Sequence, residues 1–320
     1  MQKMQKFRLG ISACLLGEPV RYDGGHQLDR FITDTLGRYV EFVPVCPEVE
    51  CGLGVPREAM RLVGDPDAPR LVTVRTKVDL TARLLTWAQK RVRELEQENL
   101  CGFIFKSKSP SSGMERVKVY PEAASGPPVT RGVGLFARLF MAHFPLLPVE
   151  DDGRLHDPVL RENFIDRLFV LQRWRELLAA RPNPGDLVAF HTRHKLLILA
   201  HSPQHYRELG RLVARAGELP LPELCDLYQS RLMEALRLKA TPKKNTNVLQ
   251  HLMGYFKKDL TPDEKQELLE VIDHYHQGHV PLVVPITLIN HYVRKYRQPY
   301  LQEQFYLHPH PLELQLRNHV

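Results

Sequence analysis

Hydrophobic residues in the first third of the chain occur in short runs that end in loop-forming residues. Such runs cover residues 7–12 (FRLGIS), 40–45 (VEFVPV) and 102–105 (GFIF), and each is followed by a segment rich in Gly, Pro, Ser or Cys. This pattern is typical of buried strands. Between the last two runs, residues 80–95 place apolar side chains at helical spacing. Alternating strands and helices predict an α/β, Rossmann-like fold here.

Apolar positions in the second half repeat with the period of a helix. Six helices are predicted, at residues 163–180, 190–201, 204–216, 222–239, 246–257 and 261–278. The stretch PVEDDGRLHDPVLRE at residues 148–162, with two prolines and several acidic residues, separates the two patterns. We therefore predict an α/β domain at residues 1–152 and an all-α domain at residues 153–320.

Composition and charge narrow the class of protein. A chain of 320 residues is long enough for two domains, and 43% hydrophobic with 25% charged residues exclude a disordered or fibrous chain. The net charge of +7 favours a polyanionic partner without requiring one. Thirteen of the fifteen histidines follow residue 150, which supports the domain boundary. Because neither a targeting signal nor a membrane-length apolar run is visible, we expect a cytoplasmic protein without membrane contact.

The five cysteines favour free thiols or metal ligands over disulfides, because their number is odd and no secretory signal is visible. Cys14 and Cys46 each follow a predicted strand, so both can face one crevice at the edge of a parallel sheet. Glu48 follows two residues after Cys46, and a serine-rich loop at residues 106–113 follows the third strand. The alternative is that each cysteine is a small buried hydrophobic residue, as we interpret Cys225.

Three motifs together resemble the thiouracil desulfurase (TudS-like) family. They are SACLLG with RYDGG at residues 12–25, VPVCPE with GLGVPRE at residues 43–58, and KSKSPSSG at residues 106–113. In the second half, FHTRHKLLILAHSPQHYRELGRLV at residues 190–213 is similar to the YbgA-like domain. The fusion of both resembles the branch that removes sulfur from 4-thiouridine in transfer RNA (RudS-like).

The resemblance implies that three cysteines hold a 4Fe–4S cluster, with one iron left open for the substrate sulfur. By position, Cys14 and Cys46 are cluster ligands. Glu48 corresponds to the general base that activates water, and Ser109 to a hydrogen-bonding group beside the substrate. Iron can polarise a soft thiocarbonyl as a Lewis acid, so the implied reaction involves no net redox change.

The third loop departs from the family pattern. The pattern is SPSCG, whereas this chain reads SPSSG, so Ser112 occupies the third ligand position. A hydroxyl is a harder and far less acidic ligand than a thiol, so the three-cysteine cluster cannot form as in the family. We interpret Ser112 as an engineered Cys→Ser change in preference to a natural loss. Cys51 or Cys101 is the alternative third ligand, although neither matches a family ligand position.

Two basic segments of the helical domain predict contacts with tRNA. Residues 237–258 contain six cations and no acidic residue, and residues 193–195 form a second patch. A charged run is usually a solvated face, but beside a desulfurase-like domain it favours RNA binding. The candidate RNA-binding residues are Arg193, His194, Lys195, Arg237, Lys239, Lys243, Lys244, Lys257 and Lys258.

A run of histidines leaves three interpretations open. His191, His194, His201 and His205 would share one helical face if the helix continues past Pro203. They are structural residues, RNA contacts or, least favoured because no cysteine is near, zinc ligands.

The sequence thus predicts a tRNA 4-thiouridine desulfurase with catalysis in the first domain and RNA recruitment by the second. One alternative is a desulfurase of free thiouracil or thionucleosides. The other is an RNA-binding or regulatory protein in which Ser112 marks weakened or lost catalysis.

Overall fold

The computed structural model describes residues 6–122 and 126–319. It divides the chain into two compact units, Met1–Asp157 and Pro158–Val320. The sequence places the boundary five residues earlier, between residues 152 and 153. The segment in between forms a helical turn, Arg154–His156, that follows the last strand of the first unit.

The strands of the first unit are all short, and they form two separate sheets. Within the described residues they are β1 (Phe7–Ser12), β2 (Val40–Val45), β3 (Met60–Val63), β4 (Arg70–Thr73), β5 (Phe103–Phe105), β6 (Val117–Tyr120), β7 (Val129–Gly132) and β8 (Val149–Asp151).

The first sheet is fully parallel, with the strand order β2-β1-β5-β8. The chain adds β2 on one side of β1 and then crosses to add β5 on the other. The gap between the loops that follow β1 and β5 is therefore the switch point at which open α/β sheets bind ligands. The runs 7–12 and 40–45 are strands with the bounds that their apolar pattern predicts.

The second sheet, with the order β4-β3-β6-β7, was not predicted from the sequence. Its strands have four residues each, and every one of them contains a Lys or Arg. One face is apolar, with Leu62, Leu71, Val117 and Val119 packed into a small core, while the other face mixes Val63 and Val72 with basic residues. Four residues with two inward positions are too few for a clear period-two signal.

In the described part of the first unit, three segments are α-helices, α1 (Pro47–Glu50), α2 (Thr81–Glu96) and α3 (Leu135–His143). Phe103 and Phe105 of β5 pack against Phe136 and Phe140 of α3, with ring centroids 4.7–6.3 Å apart. Each buried side chain of this size contributes about 1.5–3 kcal/mol. This core fixes α3 directly behind the loop that follows β5.

The second unit is helical. Its elements are α4 (Pro158–Ala179), α5 (Pro184–His201), α6 (Pro203–Ala214), α7 (Leu221–Arg237), α8 (Pro242–Gly254), α9 (Pro262–His276), α10 (Val283–Lys295) and α11 (Pro299–Gln302). The predicted class, an α/β unit followed by a helical unit, is confirmed. No helix in the described ranges is long and apolar enough to cross a membrane.

Several helices of the second unit begin some residues before the start that the spacing of apolar residues predicts. Helix α5 starts at Pro184, six residues before the predicted start, because Asn183 forms a capping box with Asp186. Thr241 caps α8 by accepting a hydrogen bond from the backbone of Lys244. Proline is favoured at the first helical position, so a capping residue followed by Pro marks these starts.

Candidate active site

A cavity of about 250 Å³ opens at the carboxyl ends of β1, β2 and β5. The loops that follow these strands bring together the five residues that the sequence singled out in the first unit. Cys14, Cys46, Glu48, Ser109 and Ser112 all line this cavity. Residues up to 98 positions apart in the chain therefore share one site.

The two thiols lie on neighbouring loops. Cys14 lies in the helical turn Ala13–Leu16 directly after β1, and Cys46 immediately precedes α1. Both are buried, and burial raises the pKa of Cys14 to about 11 and that of Cys46 to about 12. Lys106 lowers the pKa of Cys14 and Arg57 lowers that of Cys46, but burial outweighs both cations, so both sulfurs hold their protons at neutral pH.

Glu48 is held in the first turn of α1, where Pro47 begins the helix. Its carboxylate is buried, and Ser111 Oγ donates a hydrogen bond of 2.5 Å to Oε1. The other oxygen, Oε2, lies 3.5 Å from Cys46 Sγ and 3.9 Å from Arg57 Nη2. One oxygen is thus anchored while the other faces the thiol, an arrangement that suits a carboxylate taking a proton from water.

The serine loop, residues 109–113, is linked by hydroxyl contacts. Ser109 Oγ accepts hydrogen bonds from the backbone N–H groups of Ser111 and Ser112, at 3.3 and 3.1 Å. It is also 3.0 Å from Ser111 Oγ, which in turn reaches Glu48. Ser109 therefore orients the loop and connects to the carboxylate through Ser111, a residue that the sequence reasoning did not select.

Helix α3 holds the serine loop from behind. The N–H groups of Gly134 and Phe136 donate to the carbonyls of Gly113 and Ser111, at 2.8 and 2.9 Å, and Leu135 N donates to Pro110 O. These are N–H groups that a helix start leaves without partners. The loop thus satisfies the helix end through its backbone, while the side chains of Ser109 and Ser112 face the cavity.

An ion pair at the cavity wall was also missed by sequence reasoning. Lys106 Nζ donates to Asp152 Oδ2 at 2.8 Å, and Ser107 N donates to Asp152 Oδ1 at 2.6 Å. Lys106 N also donates to Ser12 Oγ at the end of β1. The only sequence signal was that a lysine and an aspartate directly follow β5 and β8, which are adjacent in the sheet.

The third ligand position carries a hydroxyl. Cys14, Cys46 and Ser112 are the positions that the family resemblance implies for a cluster, and all three surround the cavity. Their donors are two thiols and one alcohol. In residues 6–122 and 126–319, no three His, Cys, Asp or Glu side chains are placed to hold a metal ion. The residues present therefore do not fit a cluster held by three thiolates.

The remaining cysteines lie elsewhere. Cys51 packs against the core of the second sheet, and its Sγ is 3.3 Å from the carbonyl of Glu48. Cys101 is buried before β5, at the amino end of the strand and away from the serine loop. Cys225 is buried in α7. None of these three lines the cavity.

Most of the cations proposed to contact RNA are exposed. Arg237, Lys239, Lys243, Lys257 and Lys258 have exposed side chains, and across the described residues no ion pair involves them. Lys244 differs, because its Nζ donates to the carbonyls of His201 and Lys239, at 2.7 and 2.8 Å.

The side chains of the second predicted patch, residues 193–195, are less available for contacts with RNA. Arg193 pairs with Glu303 at 3.0 Å, and the ammonium of Lys195 lies 5.1 Å from the ring centre of Tyr300. His194 is 1% exposed, stacks on Phe190 and accepts a hydrogen bond from Arg173. A side chain buried in this way does not reach the surface that RNA would contact.

The other histidines of the run have internal partners. His191 is hydrogen-bonded to Tyr228 at 3.1 Å, and burial lowers its pKa to about 4. His205 contacts the hydroxyl of Ser202, which caps α6. Helix α5 ends at His201, so the four histidines do not continue along one helix. Their placement favours structural roles.

Two family models match the chain, one in each half. A model described as 2-thiouracil desulfurase matches residues 9–152, and a model described as a protein of unknown function (DUF1722) matches residues 195–311. The first half of the chain thus matches the desulfurase model and the second half matches the DUF1722 model, which confirms the resemblance in both halves.

The chain is also similar to two known proteins. The uncharacterized protein YbgA of Escherichia coli (strain K12) is 35% identical over 153 residues, which are 48% of this chain and 90% of YbgA. The chain belongs to the YbgA-like family. A solved structure of the 4Fe–4S-dependent thiouracil desulfidase TudS is 29% identical and covers 48% of this chain and 95% of its own, with a TM-score of 0.40.

Proposed function

We propose that the protein removes sulfur from 4-thiouridine in tRNA, with catalysis in the first unit and RNA binding by the second. The reaction is a hydrolysis: one water supplies the oxygen of the new carbonyl, and the thiocarbonyl sulfur leaves as hydrogen sulfide. Because carbon keeps its oxidation state, no external oxidant or reductant is consumed. Such a protein would work in the cytoplasm, where tRNA is found.

The observation that carries this proposal is the placement of Glu48. The buried carboxylate lies in a cavity large enough for one pyrimidine ring; Ser111 donates to its Oε1, and its Oε2 is 3.5 Å from the Cys46 thiol and 3.9 Å from Arg57. A water bound beside Oε2 would lose its proton to that oxygen as it attacks the carbon that bears sulfur. Ser109 keeps Ser111 in position and can donate to an exocyclic oxygen of the base.

The proposal includes a cofactor but assigns no step of the reaction to it. The resemblance implies a 4Fe–4S cluster at the positions of Cys14, Cys46 and Ser112, and the relative TudS is described as 4Fe–4S-dependent. Since Ser112 does not provide a thiolate, no step of the hydrolysis above depends on a cluster held by three cysteines.

The exposed cations of the second unit support the proposal that the substrate is an RNA. Arg237, Lys239, Lys243, Lys257 and Lys258 carry positive charge that no acidic side chain in the described ranges neutralises. Neutralising phosphates with such groups releases counterions, so tRNA affinity should fall steeply as salt rises. The thiolated base must leave its stack to enter the cavity.

The test is to incubate the protein anaerobically with tRNA that contains 4-thiouridine and to follow the loss of the 4-thiouridine absorbance together with sulfide release. Glu48→Gln, which keeps the shape of the side chain, should slow the reaction about 10²–10⁴-fold. Activity on free thiouracil without tRNA affinity would instead favour the free-base alternative. Binding of tRNA with no sulfide release, also in Ser112→Cys, would favour the binding-protein alternative.

A further inference from the structure

Two tyrosine rings stack on each other at the surface of the helical unit. Tyr255 directly follows α8, and Tyr300 lies in α11. Their ring centroids are 5.1 Å apart and their planes are inclined by 22°, which is a stacked arrangement. Tyr255 is 42% exposed although one of its faces lies against Tyr300. A further ring can therefore stack on this tyrosine pair from the side of Tyr255 that faces away from Tyr300.

The backbone on both sides of the Tyr255 side chain is fixed by contacts with the helical unit. The next residue, Phe256, is fully buried and packs against Tyr292, with ring centroids 6.2 Å apart. The N–H groups of Tyr255 and Phe256 donate to the carbonyls of Leu252 and Met253, at 3.1 and 3.0 Å, and so continue the last turn of α8. Because the ring is held in this way, little conformational entropy is lost when a ligand stacks on it.

Lysine side chains lie in the same region as the tyrosine pair. Lys257 and Lys258 follow in the chain and are exposed, and residues 251–258 contain no acidic residue. The ammonium of Lys195 lies 5.1 Å from the ring centre of Tyr300. This cation–π contact adds a third lysine to the region and helps to hold Tyr300 under Tyr255.

Two acidic residues belong to the same segments, and both already have partners. Glu303 pairs with Arg193 at 3.0 Å, so the two charges balance. Asp259 accepts a hydrogen bond of 2.9 Å from the neutral side chain of Gln298. The three lysines outnumber Asp259, so the charge around the tyrosine pair is positive and complementary to phosphate.

An exposed ring beside cations suits an unpaired nucleotide. The faces of paired bases are covered by their neighbours in a duplex, whereas an unpaired base can stack on an aromatic side chain while its phosphates contact cations. A protein partner is disfavoured, because lysine is depleted at protein–protein interfaces. The charge and the ring together therefore favour single-stranded RNA.

We propose that Tyr255, supported by Tyr300, is a platform on which an unpaired base of the bound RNA stacks, with Lys257 and Lys258 on the adjacent phosphates. The inference rests on the proposed function for the RNA ligand, and it adds which part of the RNA the second unit recognises. Because every base has a π face, the platform selects unpaired nucleotides without selecting a sequence.

The test measures binding of the full-length protein to a short single-stranded RNA and to the same strand in a duplex, by fluorescence anisotropy at several salt concentrations. The single strand should bind more tightly at equal salt. Tyr255→Leu should weaken binding of the single strand about 5–100-fold. It should leave the salt slope and the duplex affinity unchanged, because stacking releases no counterions. Tyr255→Phe, which keeps the ring, should bind like the wild type, and Leu227→Ala, at an exposed position on α7, is the control for loss of apolar surface.

A 2-aminopurine base in the single strand reports stacking directly. At saturating protein, its fluorescence should be quenched by the wild type and by Tyr255→Phe, and not by Tyr255→Leu. The wild-type result does not depend on the folding of any variant. Binding of the single strand by the wild type without quenching, or wild-type affinity in Tyr255→Leu, would overturn the platform and leave RNA binding intact. Absence of binding to either RNA would refute the RNA part of the proposed function and the platform with it.

Discussion

The close contact between α3 and the serine loop leads to a sharp prediction for Gly134→Ala. A Cβ atom on Gly134 would lie 2.5 Å from both the carbonyl carbon and the oxygen of Ser111, and 2.8 Å from Gly113 N. These are backbone atoms, so no side-chain rotation relieves the overlap. Either the start of α3 or the serine loop must move by about 1 Å to restore normal van der Waals contact.

The size of the effect follows from the hydrogen bonds that this movement breaks. Gly134 N donates to Gly113 O at 2.8 Å, Phe136 N to Ser111 O at 2.9 Å, and Ala137 N to the same oxygen at 3.2 Å. With about 0.5–1.5 kcal/mol for each bond, we expect a loss of about 2–4 kcal/mol in the free energy of unfolding. That corresponds to a decrease of roughly 4–16 °C in the Tm of a domain of this size.

Urea denaturation followed by circular dichroism measures the loss in the free energy of unfolding. The rate of sulfide release reports how the displaced loop affects the reaction. The matched control is Gly54→Ala in the same unit, because a Cβ there has no atom within 4 Å. Wild-type stability and activity in Gly134→Ala would refute the reasoning. Equal losses in both variants would also refute it, because the effect would then belong to any added methyl group.

Three further predictions concern the site, the RNA surface and a helix cap. Ser112→Cys should raise the iron retained after anaerobic reconstitution toward four per chain and should increase the rate of desulfuration; a full 4Fe–4S complement already present in the Ser112 protein would contradict this. The double variant Lys257→Ala/Lys258→Ala should reduce the slope of log affinity for tRNA against log salt by about 1.5–2, measured by filter binding; an unchanged slope excludes these two contacts. Thr261→Ala removes the capping box of α9 and should lower the unfolding free energy by about 0.5–2 kcal/mol in urea titrations; Thr287→Ala, within α10, is the control.

Strands β1, β2 and β5 of the parallel sheet and the clustering of the site could be predicted from the sequence, whereas β8 lies in the segment that the sequence assigned to the domain boundary. Residues 7–12 and 40–45 are short, strongly apolar runs that end in loop residues, so the bounds of β1 and β2 follow directly. Once two strands are parallel neighbours, the residues that follow them meet at one edge. This topological rule brings Cys14 and Cys46 to one cavity.

Other features depend on tertiary contacts that no local pattern encodes. Ser111 donates to Glu48, which lies 63 positions earlier in the sequence. Nothing in the local sequence distinguishes Ser111 from the neighbouring serines, because this contact depends on the fold. The burial of His194 likewise follows from its stacking on Phe190 and Phe305, although Arg193 and Lys195 on either side suggested a surface. The contact of 3.9 Å between Asp166 and His201 could not be found from spacing, because the two residues lie on different helices.

The way in which α3 holds the serine loop bears on how this family can diversify. The loop is tied down by its carbonyl groups, while the side chain of residue 112 contributes little to its shape. Exchanging an oxygen for a sulfur at this one position would therefore alter the metal-binding chemistry of the cavity with little cost to folding. Residue 112 is a position at which evolution or an experimenter can change the reactivity of the site while the scaffold around it stays the same.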